Sequence, residues 1–229
     1  MSRPLRLAVL GGTFDPVHHG HLRSAVELRE QLGLDEVRLM PARRPPLRGE
    51  PGATAEQRLA MVEAAILGEP GLAVDGRELQ RSGPSYTVDT LAELRSELGS
   101  EAVLCFALGG DAFAGLDRWH DWQRLLELAH LVVMQRPGAV LPDAGPVAEL
   151  LQRHRLAPDQ LHRRPCGGIA VLGVTQLPIA ATDLRALIAA GRSPRYLLPD
   201  PVWQQIRQHA LYGHPGPGAT PPSGAGTDA

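Results

Sequence analysis

Apolar positions along this chain fall into two patterns: short apolar runs, and longer stretches with an apolar residue every three or four positions. The runs at 5–10, 36–40, 72–75, 102–108, 131–135 and 169–174 read as strands. Between them, 20–32, 55–67, 87–98 and 122–128 read as helices; in 87–98, Val88, Leu91, Leu94 and Leu98 sit at helical spacing. The segment 145–165 is polar and reads as a helical insertion. From Thr182 two further helices close the chain, with Pro199 or Pro201 placed to open the last one. Strands alternating with helices predict an α/β fold: a doubly wound parallel sheet, Rossmann-like, with a small C-terminal helical part over about 180–212. One domain is expected over 1–212. Residues 213–229, GHPGPGATPPSGAGTDA, carry almost nothing that can build a core and predict a disordered tail.

Composition narrows the partners. A chain of 229 residues, 43% hydrophobic and 21% charged, can bury a full core. Its formal charge of −2 argues against broad nucleic-acid binding, so anionic ligands must be met by local groups. Of the two cysteines, Cys105 lies inside an apolar run, which predicts a buried reduced thiol and no disulfide framework. No apolar run approaches membrane-spanning length, and a cytoplasmic protein without membrane partners is expected. Nothing in the sequence sets the oligomeric state.

The chemistry concentrates in GGTFDPVHHGHL, 11–22, between the first strand and the first helix. Gly11 and Gly12 allow close approach of backbone to a ligand and tolerate positive φ. The helix that follows offers unsatisfied N–H groups and its positive dipole end, a site suited to phosphate. His18 and His21, three residues apart, share one side of its first turn. The segment lacks the lysine of a Walker loop and the third glycine of a dinucleotide fingerprint. Two other readings stand beside the phosphate one: a structural turn, and a metal held by His18, His19 and His21 with Asp15 as the close carboxylate.

The form His18-His19-Gly20-His21 resembles the H-x-G-H nucleotidyltransferases, which join a nucleotidyl group to a phosphate acceptor. With GGTFDPVH ahead of it, the segment resembles the bacterial nicotinate-mononucleotide adenylyltransferase family, and the likeness runs from about residue 5 to residue 212. The resemblance implies adenylyl transfer from ATP to nicotinate mononucleotide in NAD biosynthesis, with Mg2+ accompanying ATP. It implies catalytic roles for His18, His21 and Arg185. Gly11, Gly12, Thr13, Phe14, His18 and His21 would then bind ATP together with Gly109 and Asp111 of GGDAF and Ile179, Thr182 and Arg185 of IAATDLR. The acceptor would meet Arg48, Tyr86 and Thr87 of PSYTVDTL, Trp119 of DRWHDW and Arg136 of QRPG.

Simpler roles exist for several of these. Ser85 or Thr87 could cap a helix, Trp119 or Trp122 could only pack, and Arg136 could be a surface arginine in a turn. Two positions depart from the family pattern: Ala180 stands where serine is usual, and Leu47 where histidine is usual. The alternative functions are transfer to another acceptor, such as nicotinamide mononucleotide or phosphopantetheine, and a nucleotide-binding sensor without turnover.

Overall fold

The structure is a computed structural model, and it describes residues 3–43, 50–135, 140–175 and 177–216. Among these residues six strands form one sheet: β1 (Arg6–Gly12), β2 (Glu36–Pro41), β3 (Leu72–Val74), β4 (Val103–Gly109), β5 (His130–Gln135) and β6 (Ile169–Gly173). Their order is β3-β2-β1-β4-β5-β6 and every pairing is parallel. Eight α-helices accompany them: α1 (His19–Leu32), α2 (Ala55–Ile66), α3 (Thr87–Leu98), α4 (Gly110–Ala114), α5 (Leu125–Leu128), α6 (Pro146–His154), α7 (Ala181–Ala189) and α8 (Asp200–Gln208).

The period-two alternation of side chains along each strand divides the core into two layers. Ala8 and Leu10 of β1, Cys105 and Ala107 of β4, and Val132 and Met134 of β5 face α1, α2, α7 and α8. Leu7 and Val9, Leu104 and Phe106, and Leu131 and Val133 face α3, α5 and α6. This is the doubly wound sheet that strand and helix alternation predicts, and it turns at β1 and β4. There the chain leaves neighbouring strands toward opposite faces, opening a crevice beyond their carboxyl ends. Leu10 pairs with Ala107, Gly12 with Pro41 and Gly109 with Met134, so Gly12 and Gly109 both stand on this edge.

Three expectations change in detail. The first strand continues through Gly11 and Gly12, so the turn begins at Thr13. The left-handed residue of that turn is Phe14, at φ 49°, and neither glycine. The stretch 122–128 is a 3-10 turn, Trp122–Arg124, that runs directly into the single-turn α5, with Asp121 in left-handed backbone (φ 47°) just ahead of it. Segment 145–165 divides into α6 and a 3-10 turn, Pro158–Arg163. Pro158 cannot continue the helical hydrogen bonding, which accounts for the break. Cys105 is buried and unpaired, and burial pushes its thiol up to about 12, so it stays protonated. No helix of the described residues is long and apolar enough to cross a membrane.

Candidate active site

Of the two glycines at the end of β1, Gly12 is there for space. A Cβ on Gly12 would lie 2.9 Å from the Phe14 ring, which folds back over the strand end in its left-handed conformation. A Cβ on Gly20 would meet His18 Nδ1 at 3.0 Å, so the glycine inside H-x-G-H makes room for the first histidine.

His18 caps α1 and its backbone N–H donates to His21 Nδ1 at 3.3 Å. With Nδ1 acting as acceptor, the neutral form of the His21 ring has its proton on Nε2. The two imidazoles stack with centroids 3.7 Å apart and planes 27° from parallel, and Phe14 stands edge-on to His21 at 5.0 Å. Ring-nitrogen lone pairs lie in the ring plane, so rings stacked this way offer two side-by-side groups and do not converge on one ion. Burial, with a smaller contribution from the neighbouring His19, pulls the His18 pKa down to about 4. At neutral pH His18 is therefore uncharged, and its buried Nδ1 has no hydrogen-bond partner among the described residues. Some first-turn amides are already engaged: His19 N–H donates to Leu197 O at 3.1 Å and His21 N–H to His18 O at 2.9 Å.

Asp15, which the sequence offers only as the carboxylate nearest the histidines, and Arg58, which has no local signature, hold the loop. Asp15 is buried and accepts from the backbone N–H groups of Gly52 (2.8 Å) and Ala53 (3.1 Å) and from the Tyr212 hydroxyl (2.8 Å). Its second oxygen lies 3.5 Å from Arg185. Those partners, and not a metal, take up the close carboxylate. Arg58 is buried beneath the loop and donates to the carbonyls of Thr13 and Ala42, each at 2.7 Å. A buried guanidinium aimed at carbonyls has no signature within a dozen residues of sequence, since its partners are the residues that follow β1 and β2.

Arg185 reaches the loop from the second turn of α7. It donates to the Asp15 carbonyl at 2.7 Å and to Thr182 Oγ1 at 3.4 Å. Ile179, just before α7, packs on the core layer that contains Phe14. The expected ATP-side residues on the β1 loop, α1 and α7 are thus one contiguous group. Asp111 stands exposed on the first turn of α4, beyond the Gly109 edge.

The expected acceptor residues belong to the opposite layer. Tyr86 is the N-cap of α3, and no side chain bonds the first-turn amides, so neither Ser85 nor Thr87 plays the capping role open to it. Tyr86 stacks on His120, centroids 4.3 Å apart. Trp119 stands edge-on to Phe106 of β4 at 6.0 Å, half-buried, with Trp122 on the same core layer. Phe106 also lies 3.6 Å from where a Gly11 Cβ would be, which joins this side to the end of β1. Beneath the α3 terminus, Thr90 donates to the buried Glu78 at 2.8 Å and accepts from Arg81 at 2.7 Å. Leu47, Arg48 and Arg136 lie outside the described residues.

A switch-point crevice with a histidine pair on one wall and an uncapped helix start on the other defines the nucleotidyltransferase class. Residues 9–186 match the Cytidylyltransferase-like family. Over 206 residues the chain is 55% identical to a Cellvibrio japonicus protein named "probable nicotinate-nucleotide adenylyltransferase", spanning 90% of this chain and 98% of that protein. It is 50% identical over 210 residues to a Pseudomonas aeruginosa protein of the same name, spanning 92% and 98%. Among solved structures, Plasmodium falciparum nicotinic acid mononucleotide adenylyltransferase complexed with NaAD shares the fold, with a TM-score of 0.68 at 14% identity over 91% of this chain and 97% of that one. The chain belongs to the nicotinate-nucleotide adenylyltransferase family.

Proposed function

We propose that this chain transfers the adenylyl group of ATP to nicotinate mononucleotide, releasing pyrophosphate and forming nicotinate adenine dinucleotide in NAD biosynthesis. An oxygen of the acceptor phosphate attacks the α-phosphorus, the bond to the bridging oxygen breaks, and pyrophosphate leaves with the electron pair. No covalent bond to the protein is required. Holding the two phosphates in line and aiming donors at the developing charge supply the catalysis.

The stacked His18 and His21 at the start of α1 are the observation that carries this reading. With His21 Nδ1 occupied by the His18 amide, Nε2–H is the donor for phosphate oxygens; His18 stands beside it, neutral. Arg185 holds the leaving pyrophosphate, aided by Thr182 and the amides at the start of α7. Gly11, Gly12, Thr13 and Phe14 shape the phosphate turn, Gly109 and Asp111 serve the ribose, and Ile179 serves the adenine. ATP enters with Mg2+, which lowers repulsion between its phosphates. Phosphate oxygens would supply most of that ion's ligands, and Asp15 is already engaged by protein donors.

On the acceptor side, free amides at the start of α3 and the Thr87 hydroxyl favour a carboxylate over an amide. Tyr86 contributes from the N-cap position, Trp119 gives the pyridine ring a flat face, and Arg48 and Arg136 serve the acceptor phosphate. The folded unit spans 1–212, and the protein works in the cytoplasm.

The test is pyrophosphate release from purified protein with ATP and Mg2+ and, in turn, nicotinate mononucleotide, nicotinamide mononucleotide and phosphopantetheine. Nicotinate mononucleotide is expected to give the highest kcat/KM, and His21→Ala to lower kcat on the order of 10²- to 10³-fold with a smaller effect on substrate binding. Equal kcat/KM for the two pyridine nucleotides overturns the acceptor assignment. ATP binding without turnover of any acceptor makes the protein a sensor.

A further inference from the structure

The last described turn, Leu211–Gly213, reaches into the ATP side of the crevice. Ala210 and Tyr212 both adopt left-handed backbone, at φ 49° and 56°, on either side of the buried Leu211. Non-glycine residues hold that conformation only where their surroundings over-determine it. The result is delivery of the Tyr212 hydroxyl to Asp15 Oδ1 at 2.8 Å, across 197 positions of sequence. Burial and the adjacent carboxylate push the Tyr212 pKa well above its ordinary value, so the hydroxyl keeps the proton it donates.

Asp15 is in turn the residue on which Arg185 rests. Its carbonyl accepts from Arg185 Nη1 at 2.7 Å and its carboxylate lies 3.5 Å from the same nitrogen. Gly52 completes the group. Its N–H donates to Asp15, and a Cβ there would stand 3.1 Å from the Tyr212 ring and 3.6 Å from Arg185 Cδ. Tyr212, Gly52, Asp15 and Arg185 are therefore one packed cluster, with the tyrosine at its protein end and the guanidinium at its crevice end.

We propose that Tyr212 is a positioning residue for adenylyl transfer: it fixes the Asp15 carboxylate and, through Asp15, sets the guanidinium of Arg185 where pyrophosphate departs. This rests on the assignment of Arg185 to the leaving group made above. Tyr212 itself touches neither substrate. Its contribution should therefore appear at the ATP end of the reaction and vanish when Arg185 no longer holds its geometry.

The experiment is a double-mutant cycle of Tyr212→Phe and Arg185→Lys, with kcat, KM for ATP, KM for nicotinate mononucleotide, and KM for pyrophosphate in the reverse reaction, alongside a thermal melt of each protein. Tyr212→Phe keeps the ring and removes one hydrogen bond to a charged group, so a loss of about tenfold in kcat/KM for ATP is expected. KM for pyrophosphate should rise with it, while KM for nicotinate mononucleotide stays within about twofold. In the Arg185→Lys background the same change should cost less than about twofold. Gly52→Ala, which crowds the ring without removing the hydroxyl, should give a weaker version of the same pattern and serves if Tyr212→Phe does not fold. Equal losses in both Arg185 backgrounds, or equal changes in both substrates' KM, overturn the proposal. Arg185→Lys with unchanged kinetics instead overturns the leaving-group assignment, and this inference with it.

Discussion

At the scale of single residues, the histidines carry the clearest consequence. Burial holds His18 at about 4 in the folded protein, against 6.5 for a free histidine. Between those two values the unfolded chain binds a proton that the folded chain refuses. Stability therefore rises with pH through this window, is complete above about 6.5, and is lost progressively toward pH 4. From pH 7 to 4.5 the contribution amounts to roughly 2–3 kcal/mol. Urea midpoints of the wild type and His18→Gln across that range should diverge by this amount, with the variant flatter. His130, also depressed by burial, adds to the slope in both proteins and cancels in the difference. Parallel curves would show that His18 is not buried as the fold requires. The spacing that places His18 and His21 on one turn is legible in the sequence, because three residues is a local distance. The depressed pKa is not, since it depends on what the rest of the fold puts around the ring. The same limit hides Asp15, Arg58 and Tyr212, whose partners lie far away in sequence.

At the scale of elements, the long periodic segments are read almost to the residue: α3 spans Thr87–Leu98 as its apolar spacing implies. What the pattern misses are places where backbone geometry overrides it. The expected helix 122–128 opens as a 3-10 turn behind the left-handed Asp121, and Gly11 and Gly12 look like a turn because glycine disfavours strands, although here they extend β1 and Gly12 leaves room for Phe14 to fold over it. The start of α7 shows the opposite relation, a local rule left unmet. Ala180 is its N-cap, in extended backbone at φ −114° and ψ 136°, with no side-chain acceptor for the first-turn amides. Serine fits that backbone without rearrangement, and a capping hydroxyl contributes about 0.5–2 kcal/mol. Ala180→Ser should raise the melting temperature by about 2–4 °C and leave ATP turnover intact or slightly improved. A lower melting temperature together with abolished ATP binding would mean that the helix start does not run beside the phosphate position.

At the scale of the whole molecule, the sheet order brings β1 and β4 together and the C-terminal helices return to close the crevice they open. That return ends in a short turn, Leu211–Gly213, and its contacts set where the chain can be cut. Leu211 is buried against the core, Tyr212 bonds Asp15, and the His214 ring stands edge-on to Trp203 at 5.1 Å. Residues 217–229, by contrast, are glycine, proline, alanine and small polar residues, with no large apolar side chain to bury. Ending the chain after Gly216 should therefore change neither the melting temperature nor kcat. Ending it after Ala210 removes a buried leucine, worth about 1.5–3 kcal/mol, and a hydrogen bond to a carboxylate, worth about 1.5–3 kcal/mol. For a domain of this size that corresponds to a fall of roughly 10 °C. The deciding comparison is between the two cuts. If both proteins melt alike, the C-terminal turn does not dock on Asp15; if the longer one is also destabilised, segment 217–229 holds part of the fold.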